Sequence, residues 1–232
     1  MSKIQSWISR TLDYQFRNDA YLTQALTHRS ASSINNERLE FLGDAVLDTV
    51  ISEIVYRYRP EGSEGELSRL RSSLVKDTSL ADLAVKLGLG EHLILGPGEK
   101  KAGGHRRGSI LADALEALFG AVYLDSGYEA AVRVICTAYG DRLENLPDPA
   151  DLRDPKTRLQ EYLQSIQLRL PVYEVTEVRG KAHKQSFTVG CTVNEPKLNS
   201  VGTGSSRRDA EQHAAENMLG QLERLEKLEN SD

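Results

Sequence analysis

The feature that most constrains the fold of this chain is a change in hydrophobic period near residue 147. From Lys3 to about Leu146, apolar residues recur at the three- and four-residue spacing of packed helices. Residues 186–193 instead alternate between polar and apolar, as in a half-buried strand. Between them, Leu146–Asp151 combines two prolines with acidic residues and favours neither element. We therefore expect an all-α domain over 1–146, a linker over 147–154 and a second domain over 155–232.

The first domain is predicted to contain several helices. The longest runs from about Asn36 to Arg59, where Pro60 and Gly62 follow it. Gly127 is expected to end a later helix in the left-handed conformation. A glycine-rich flexible loop with basic residues is expected over 96–108. The other predicted helices are Glu64–Ser73, Thr78–Leu87, Ser109–Asp125 and Glu129–Asn145.

The second domain is predicted to have the order α-β-β-β-α. Its strands are expected near Val172–Arg179, at 187–193 and near Lys197–Thr203, and its helices at Lys156–Ile166 and about Ser206–Leu228. This order predicts a three-stranded antiparallel sheet covered by two helices.

The composition limits the classes of partner. The formal net charge of −5 is unlike that of a protein that coats nucleic acid, so any contact with nucleic acid must come from a local cluster of cations. Cys136 and Cys191 fall in different predicted domains, which indicates no disulfide framework and fits a reducing cytoplasm. No stretch has the length and apolar character of a signal peptide or membrane span, so we expect a soluble, intracellular protein with no membrane partner.

Acidic residues in two otherwise apolar helices are the candidate catalytic residues. Glu37, Glu40 and Asp44 are three and four residues apart, so they share one face of the longest helix. Asp113 and Glu116 are one helical turn apart within the apolar segment 111–119. If these two helices pack together, mutual repulsion raises the pKa values of the carboxyls.

A hard divalent cation would remove this repulsion. Oxygen donors of this kind suit Mg²⁺, which keeps several waters and also binds a substrate phosphate. Such an ion lowers the pKa of a bound water and stabilises a departing oxygen. The pattern therefore indicates metal-dependent hydrolysis at phosphorus, while spacing alone leaves the substrate open.

The alternative is that these acids form salt bridges on solvated helix faces, which for a single acidic pair is the more frequent case. However, no Lys or Arg lies within four residues of Asp113 or Glu116, so local ion pairing does not explain the second set. Glu37 and Glu64 are weaker candidates, because each stands at a predicted helix start, where the helix dipole also favours an acid.

The segment Asn36–Asp44, with the sequence NERLEFLGD, resembles the signature of the ribonuclease III family. The similarity continues at 65–71, 96–99 and 109–116. This resemblance implies a magnesium site, with Mn²⁺ able to replace Mg²⁺, and a homodimer with Phe41 at its interface, although a helical Phe is more often a core residue. By the resemblance, the metal ligands are Glu40, Asp44, Asp113 and Glu116, of which Asp44 and Glu116 are the catalytic residues.

The second domain resembles the double-stranded RNA-binding domain, which recognises two minor grooves and the phosphates between them by shape. Three polar residues share one face of its first predicted helix, and two arginines stand at the start of its last helix, at a potential phosphate site. The loop 180–184 adds cations. The resemblance assigns Thr157, Gln160, Gln164 and His183 to minor-groove contacts and Arg207 and Arg208 to phosphates. Asp209 and Glu211 stand where many such domains carry a third basic residue.

The predicted function is therefore hydrolysis of double-stranded RNA to 5′-phosphate and 3′-hydroxyl ends. The resemblance implies the processing of ribosomal RNA precursors and of some messenger and transfer RNA. No nucleotide cofactor is expected, because the Gly202-x-Gly204 pair is too short and wrongly placed for a dinucleotide loop and no Walker-type lysine motif is present. Two alternatives are a double-stranded RNA-binding regulator with an idle catalytic domain and a metal-dependent enzyme acting on small phosphorylated molecules. The latter leaves the second domain unexplained.

Overall fold

The computed structural model describes residues 3–181, 185–195 and 197–229, in two compact units, Met1–Pro149 and Ala150–Asp232. It confirms the predicted fold class, since a helical unit precedes one with the order α-β-β-β-α. Within the part of the chain that it describes, none of the helices combines the length and the apolar character that crossing a bilayer requires.

The first unit is built around one buried helix. Every residue from Ile110 to Val122 is buried except Asp113 and Glu116, which are half-buried, so this helix forms the centre of the core. The helices of the first unit are α1 (Lys3–Leu12), α2 (Asp19–Ala25), α3 (Glu37–Tyr58), α4 (Glu64–Val75), α5 (Asp77–Lys86), α6 (Pro97–Lys101), α7 (Gly108–Ser126), α8 (Tyr128–Tyr139) and α9 (Asp141–Glu144).

The structure differs from the sequence-based expectation at three glycine-containing places. The last predicted helix is divided into α8 and α9 at Gly140, whose φ of 49° interrupts the helical backbone. Gly127 has φ 82° but ψ −177°, so it ends α7 with an extended ψ rather than in the left-handed helical conformation. The glycine-rich loop contains α6 and a short 3₁₀ turn, Gly104–Arg106.

The second unit is an antiparallel sheet covered by two helices. Its elements are α10 (Pro155–Ser165), β1 (Val172–Arg179), β2 (Ser186–Val193), β3 (Leu198–Gly204) and α11 (Arg207–Glu229). The strands lie in the order β1-β2-β3, and Gly190 of β2 pairs with Glu174 on one side and Val201 on the other. The apolar core between sheet and helices includes Leu159, Leu163, Cys191, Val193 and Met218.

Side chains of α11 satisfy backbone carbonyls of the edge strand β3. A four-residue step along a helix covers about 6 Å, and a two-residue step along a strand covers about 6.6 Å. Every fourth side chain of α11 can therefore reach every second carbonyl of β3. The donor and acceptor pairs are His213 Nδ1 with Thr203 O (2.6 Å), Asn217 Nδ2 with Val201 O (2.8 Å) and Gln221 Nε2 with Asn199 O (3.1 Å).

Candidate active site and RNA interface

Two glycines allow α3 and α7 to cross with their backbones in contact. A Cβ atom at Gly43 would lie 1.8 Å from the carbonyl oxygen of Glu116, and one at Gly120 would lie 2.3 Å from that of Leu39. Any larger residue would therefore force the helices apart. Because Gly43 is next to Asp44, this close approach places the acids of α3 beside those of α7.

The acids Glu40, Asp44, Asp113 and Glu116, here called the carboxylate cluster, influence one another's ionisation. Burial and, after it, the nearby Asp44, Glu40 and Asp113 carboxylates together raise the pKa of Glu116 to about 8. Burial also raises the pKa of Glu40, with Asp113 as the next cause. The structure thus brings together acids from two sequentially distant helices.

Asp44 and Asp113 have different surroundings within the cluster. Asp44 is exposed, and desolvation followed by the Asp48 carboxylate raises its pKa. Asp113 is half-buried, and desolvation raises its pKa, as does the Asp77 carboxylate, while His28 and Arg29 lower it. The cluster therefore has an exposed member and a less accessible side.

A cavity of about 510 Å³ opens beside the cluster. Its acidic lining residues are Glu37, Glu40, Glu99 and Asp113, and another part of the wall carries basic and hydroxyl groups. The residues of the second part are His28, Arg29, Ser30, Arg107 and Ser109. A cavity with both kinds of wall can hold a cation on one side and a phosphate group on the other.

The carboxylate cluster fits a divalent cation by its chemistry. The other three acids raise the pKa of Glu116, and Asp113 and Asp44 raise the pKa of Glu40. Such repulsion between carboxylates is the condition that a hard cation relieves. Among the residues that the structure describes, no three Asp, Glu, His or Cys side chains already have the arrangement of a finished metal site. The fit therefore rests on charge and donor type rather than on ligand distances.

The weaker acidic candidates and Phe41 lie in three different places. Glu37 lines the cavity and pairs with Arg29 (3.5 Å), whereas Glu64 accepts a hydrogen bond from Ser68 and lines a separate groove between α3 and α4. Phe41 is 81% exposed and lines an apolar groove of about 650 Å³ with Leu42. It is thus not a core residue of this chain.

Sequence reasoning missed Gly43, His28 and Asp77. Gly43 stands within the NERLEFLGD segment, so its position there was the one available signal for a close helix crossing. Asp77 begins α5, where an acid at a helix start has an ordinary explanation in the helix dipole. His28 lies outside both acidic helices, and no spacing pattern connects it with them.

In the second unit, a surface groove brings predicted RNA contacts from two helices together. Thr157 and Gln160 of α10 and Arg208 of α11 line one groove of about 590 Å³ with Lys156. Gln164 is exposed one turn further along the same face of α10, while the buried Leu159 and Leu163 face the core. His183 lies outside the described residues.

Glu211 has a structural role that its position in the sequence did not indicate. It is only 9% exposed and accepts hydrogen bonds from Lys156 Nζ (2.6 Å) and Arg207 Nε (2.8 Å), so it connects α10 with α11. The hydrogen bond from Lys156 is the main cause that lowers the pKa of Glu211. Asp209 accepts from the backbone N–H of Ser205 (2.9 Å). Both acids thus organise the start of α11.

Comparisons with known proteins cover both units. A family model described as Ribonuclease-III-like matches residues 18–143, and one for the double-stranded RNA binding motif matches residues 155–222. Ribonuclease 3 of Nitrosococcus oceani is 54% identical over 217 residues, covering 93% of this chain and 93% of that protein. Ribonuclease 3 of Vibrio vulnificus is 52% identical over 215 residues, covering 93% and 96%.

Solved structures of the nuclease domain of ribonuclease III from Campylobacter jejuni resemble the first unit. One aligns with 61% of this chain and 97% of its own length, at 41% identity and a TM-score of 0.57. Another, described for structural flexibility in a region involved in dimer formation, covers 57% and 94% at 42% identity and a TM-score of 0.55.

Proposed function

Because this chain belongs to the ribonuclease III family, we propose that it cuts double-stranded RNA at the carboxylate cluster between α3 and α7. The chain is a double-strand-specific endoribonuclease with a nuclease domain and a double-stranded RNA-binding domain. The observation that carries the assignment of the site is the convergence of Glu40, Asp44 and Asp113 on the half-buried Glu116.

The family depends on metal ions, and the proposed ion is Mg²⁺, with Mn²⁺ able to replace it. Glu40, Asp44, Asp113 and Glu116 would hold it, because their oxygen atoms supply the negative charge that such a cation prefers. A bound Mg²⁺ supplies a nucleophilic water at neutral pH and offsets negative charge on the phosphate. Asp44 and Glu116 are the proposed catalytic residues of the set.

The proposed reaction is in-line attack of water on phosphorus. A P–O bond to the water oxygen forms while the bond to the 3′ oxygen breaks, and the 3′ oxygen receives a proton. The products are a 5′-phosphate and a 3′-hydroxyl. The chain's contribution is to place the carboxylates that would hold the cation beside the reacting phosphate. Glu116 would lose its proton when the cation binds, and Asp44 provides an exposed carboxylate beside it.

The second unit is proposed to hold the duplex. Thr157, Gln160 and Gln164 are exposed on one face of α10, as minor-groove contacts require. Arg208 lies in the same groove as the first two, and Arg207 is exposed at the start of α11, so both are proposed to contact phosphates. His183 is proposed as a further minor-groove contact by family likeness.

A homodimer is proposed, in which each nuclease domain hydrolyses one strand. The support is the exposed Phe41 beside an apolar groove that also includes Tyr21 and Leu124, since a large exposed apolar group next to such a groove is typical of an interface. A solved structure of the Campylobacter jejuni nuclease domain is described for a region involved in dimer formation, which supports the proposal of a dimer for this chain.

The proposed cellular substrates are precursors of ribosomal RNA and some messenger and transfer RNA, processed in the cytoplasm. Family membership supports this proposal. Sequencing of 5′-phosphate RNA ends in cells with and without the active protein tests it. The paired ends produced by cleavage of both strands should be absent when the enzyme is inactive.

The test of the proposed site compares wild type, Glu116→Gln and the control Glu53→Gln on long duplex RNA, with Mg²⁺ or with chelator. Glu53 lies on α3 and pairs with Arg57 on the surface. Glu53→Gln is therefore the same substitution at a position outside the carboxylate cluster. We expect Glu116→Gln to reduce cleavage by more than roughly 100-fold, since loss of even an outer partner of a metal ligand costs about 10- to 100-fold.

RNA binding measured in chelator should be unchanged in both variants, because the proposed RNA contacts lie elsewhere. Full cleavage by Glu116→Gln, or equal cleavage by wild type with chelator, would contradict the proposed site. Binding without cleavage by wild type under every metal condition would instead favour the regulator with an idle catalytic domain.

A further inference from the structure

We propose that Glu211 is a positioning residue that holds Lys156 and Arg207 as a pair of cations for the phosphates of an RNA duplex. The proposal makes Lys156 a phosphate contact in addition to Arg207 and Arg208. It rests on the proposed function, because it concerns the RNA-binding face of the second unit. Its basis is a buried carboxylate whose two oxygen atoms each accept from a different basic side chain.

Glu211 is an acid in a groove that is proposed to receive RNA. It lines this groove together with Thr157, Gln160 and Arg208, which are proposed RNA contacts. A free carboxylate there would repel phosphates, because like charges brought together at an interface weaken binding. However, Glu211 is only 9% exposed and pairs with two cations, so its charge is not free. Its influence on RNA binding therefore depends on what it does to these cations.

Lys156 is fixed by contacts with α11 and β1. Its Nζ atom donates to Glu211 Oε2 (2.6 Å) and lies 4.6 Å from the centre of the Tyr173 ring, whose face attracts a cation. Its backbone N–H donates to Gln212 Oε1 (3.1 Å), which fixes the start of α10 against α11. An ammonium group has three N–H donors, so the contact with Glu211 leaves donors for a phosphate in the groove, which Lys156 also lines.

Arg207 is oriented by the other oxygen of the same carboxylate. Its Nε atom donates to Glu211 Oε1 (2.8 Å), one turn further along α11. A guanidinium group that is bound through Nε keeps the N–H groups of its two terminal nitrogens for another acceptor, and their planar arrangement matches a phosphate. Because the Arg207 side chain is 65% exposed, these N–H groups are accessible to RNA.

The order that Glu211 imposes on these two cations lowers the entropic cost of RNA binding. A free Lys or Arg side chain loses rotamer freedom when it binds a phosphate. Here that freedom is already lost on folding, because both side chains are bound to one buried carboxylate. Removal of the acid should therefore weaken RNA binding, although it takes a negative charge out of the groove. Charge alone predicts tighter binding, so the direction of the change tests the proposal.

The experiment measures the Kd of the full chain for a short RNA duplex in chelator, at several salt concentrations. Wild type is compared with Glu211→Gln and with the control Glu216→Gln, which removes the same charge at an exposed position of the same helix. We expect Glu211→Gln to raise the Kd by roughly 3- to 30-fold, from the cost of ordering the two released side chains when RNA binds. Glu216→Gln should not raise the Kd.

Variants of the two cations separate positioning from phosphate contact. Lys156→Gln and Arg207→Gln should each reduce the slope of log Kd against log salt concentration by about 1, the value for one phosphate contact. Glu211→Gln should keep a slope close to that of wild type, because both cations still reach phosphates. Added to a variant that lacks both cations, Glu211→Gln should leave the Kd unchanged, because no side chain remains for it to position.

Two results would overturn the positioning role of Glu211. One is a Kd for Glu211→Gln that is equal to or below that of wild type, and the other is an equal rise in Kd with and without the two cations, which a purely structural role predicts. An unchanged salt slope in Lys156→Gln would overturn its phosphate contact.

The proposed RNA-binding face has a separate test in the same measurements. If Arg207→Gln and Arg208→Gln both bind the duplex as wild type does, that face fails independently of Glu211. Thermal unfolding checks the folding of each variant. If Glu211→Gln is unfolded, Glu211→Asp takes its place, because it keeps the charge on a side chain too short to hold both cations. An unchanged Kd in Glu211→Asp would then overturn the proposal.

Discussion

The ionisation of Glu116 couples the stability of the metal-free protein to pH. Its carboxyl has a pKa of about 8 in the folded chain, against 4.5 for an ordinary Glu, because it is buried near Asp44 and Glu40. Between these two values the folded state binds more protons than the unfolded state. Stability contributed by the protonated carboxyl is therefore fully present below pH 4.5 and is lost as pH rises to about 8.

We predict that, in chelator, the free energy of unfolding of wild type falls more steeply between pH 5 and pH 8 than that of Glu116→Gln. The glutamine is neutral at every pH, so this variant should be the more stable protein at the upper end. Urea unfolding across this pH range measures both slopes. Parallel curves for the two proteins would contradict the raised pKa. Added Mg²⁺ should stabilise wild type most at high pH, where no proton has to leave Glu116.

At the level of single residues, the sequence indicated the acids of the carboxylate cluster as candidates, but it did not indicate the residues from other segments that lie near them. Asp113 and Glu116 could be identified because an acid in an apolar helix is costly unless it is paired or binds a metal, and no cation stood nearby in the sequence. His28 and Asp77 reach the site from other segments, and single-sequence spacing contains no information on contacts between segments. Asp44 is exposed although Gly43 and Val46 beside it are buried, so the character of its sequence neighbours does not predict its own burial.

Among the elements, the crossing of α3 and α7 depends on Gly43. We predict that Gly43→Ala destabilises the chain by about 3 kcal/mol, at the upper end for overpacking, because the added methyl meets the Glu116 carbonyl at 1.8 Å. Cleavage should fall as well, since the two pairs of acids move apart. Gly98→Ala is the control, because a Cβ atom at Gly98 meets nothing within 4 Å. Equal urea midpoints for the two variants would exclude a tight crossing.

The side chains of α11 that bond to β3 protect an edge strand. We predict that the double change Asn217→Ala with Gln221→Ala destabilises the second unit by about 1 to 3 kcal/mol, since each lost hydrogen bond contributes about 0.5–1.5 kcal/mol. Freed carbonyls on an edge strand also promote pairing between chains, so light scattering on heating should increase. Glu216→Ala, at an exposed position of the same helix, should change neither property.

Element order was predictable because hydrophobic period differs between helix and strand, and all three strands were placed to within a residue or so. The division of the last nuclease-domain helix at Gly140 was not, because the apolar pattern continues across it and only the backbone angle interrupts the helix. The short helix α6 was also missed, since its glycine-rich, charged sequence has no apolar period. Local pattern therefore predicts elements with a buried face better than elements without one.

For the whole molecule, the sequence predicted the family through motifs in both halves, and the comparisons confirm it. The net charge of −5 gave no indication of RNA, although basic side chains line the groove of Lys156 and Arg208 and the cavity of Arg29 and Arg107. The net charge averages over such local groups of basic residues. They can be identified from the sequence only when a motif is assigned to a folded unit.

The oligomeric state of the whole molecule can be tested by substituting one exposed side chain, that of Phe41. We predict that Phe41→Ser raises the Kd of the proposed homodimer by roughly 10²- to 10⁴-fold. Burying one Phe contributes about 1.5–3 kcal/mol, and a two-fold interface contains the residue twice. Because Phe41 is 81% exposed in the chain, the free energy of unfolding of the monomer should be unchanged.

Sedimentation equilibrium measures this Kd, with Val85→Ser as the control, because Val85 is 64% exposed on α5 and away from the groove of Phe41. A dimer in which each nuclease domain hydrolyses one strand makes paired cuts, whereas dissociated chains should leave single-strand nicks at the same protein concentration. An unchanged Kd in Phe41→Ser, with paired cuts retained, would assign the interface to another surface. Equal weakening in both variants would show that general surface hydrophobicity, rather than this groove, holds the dimer together.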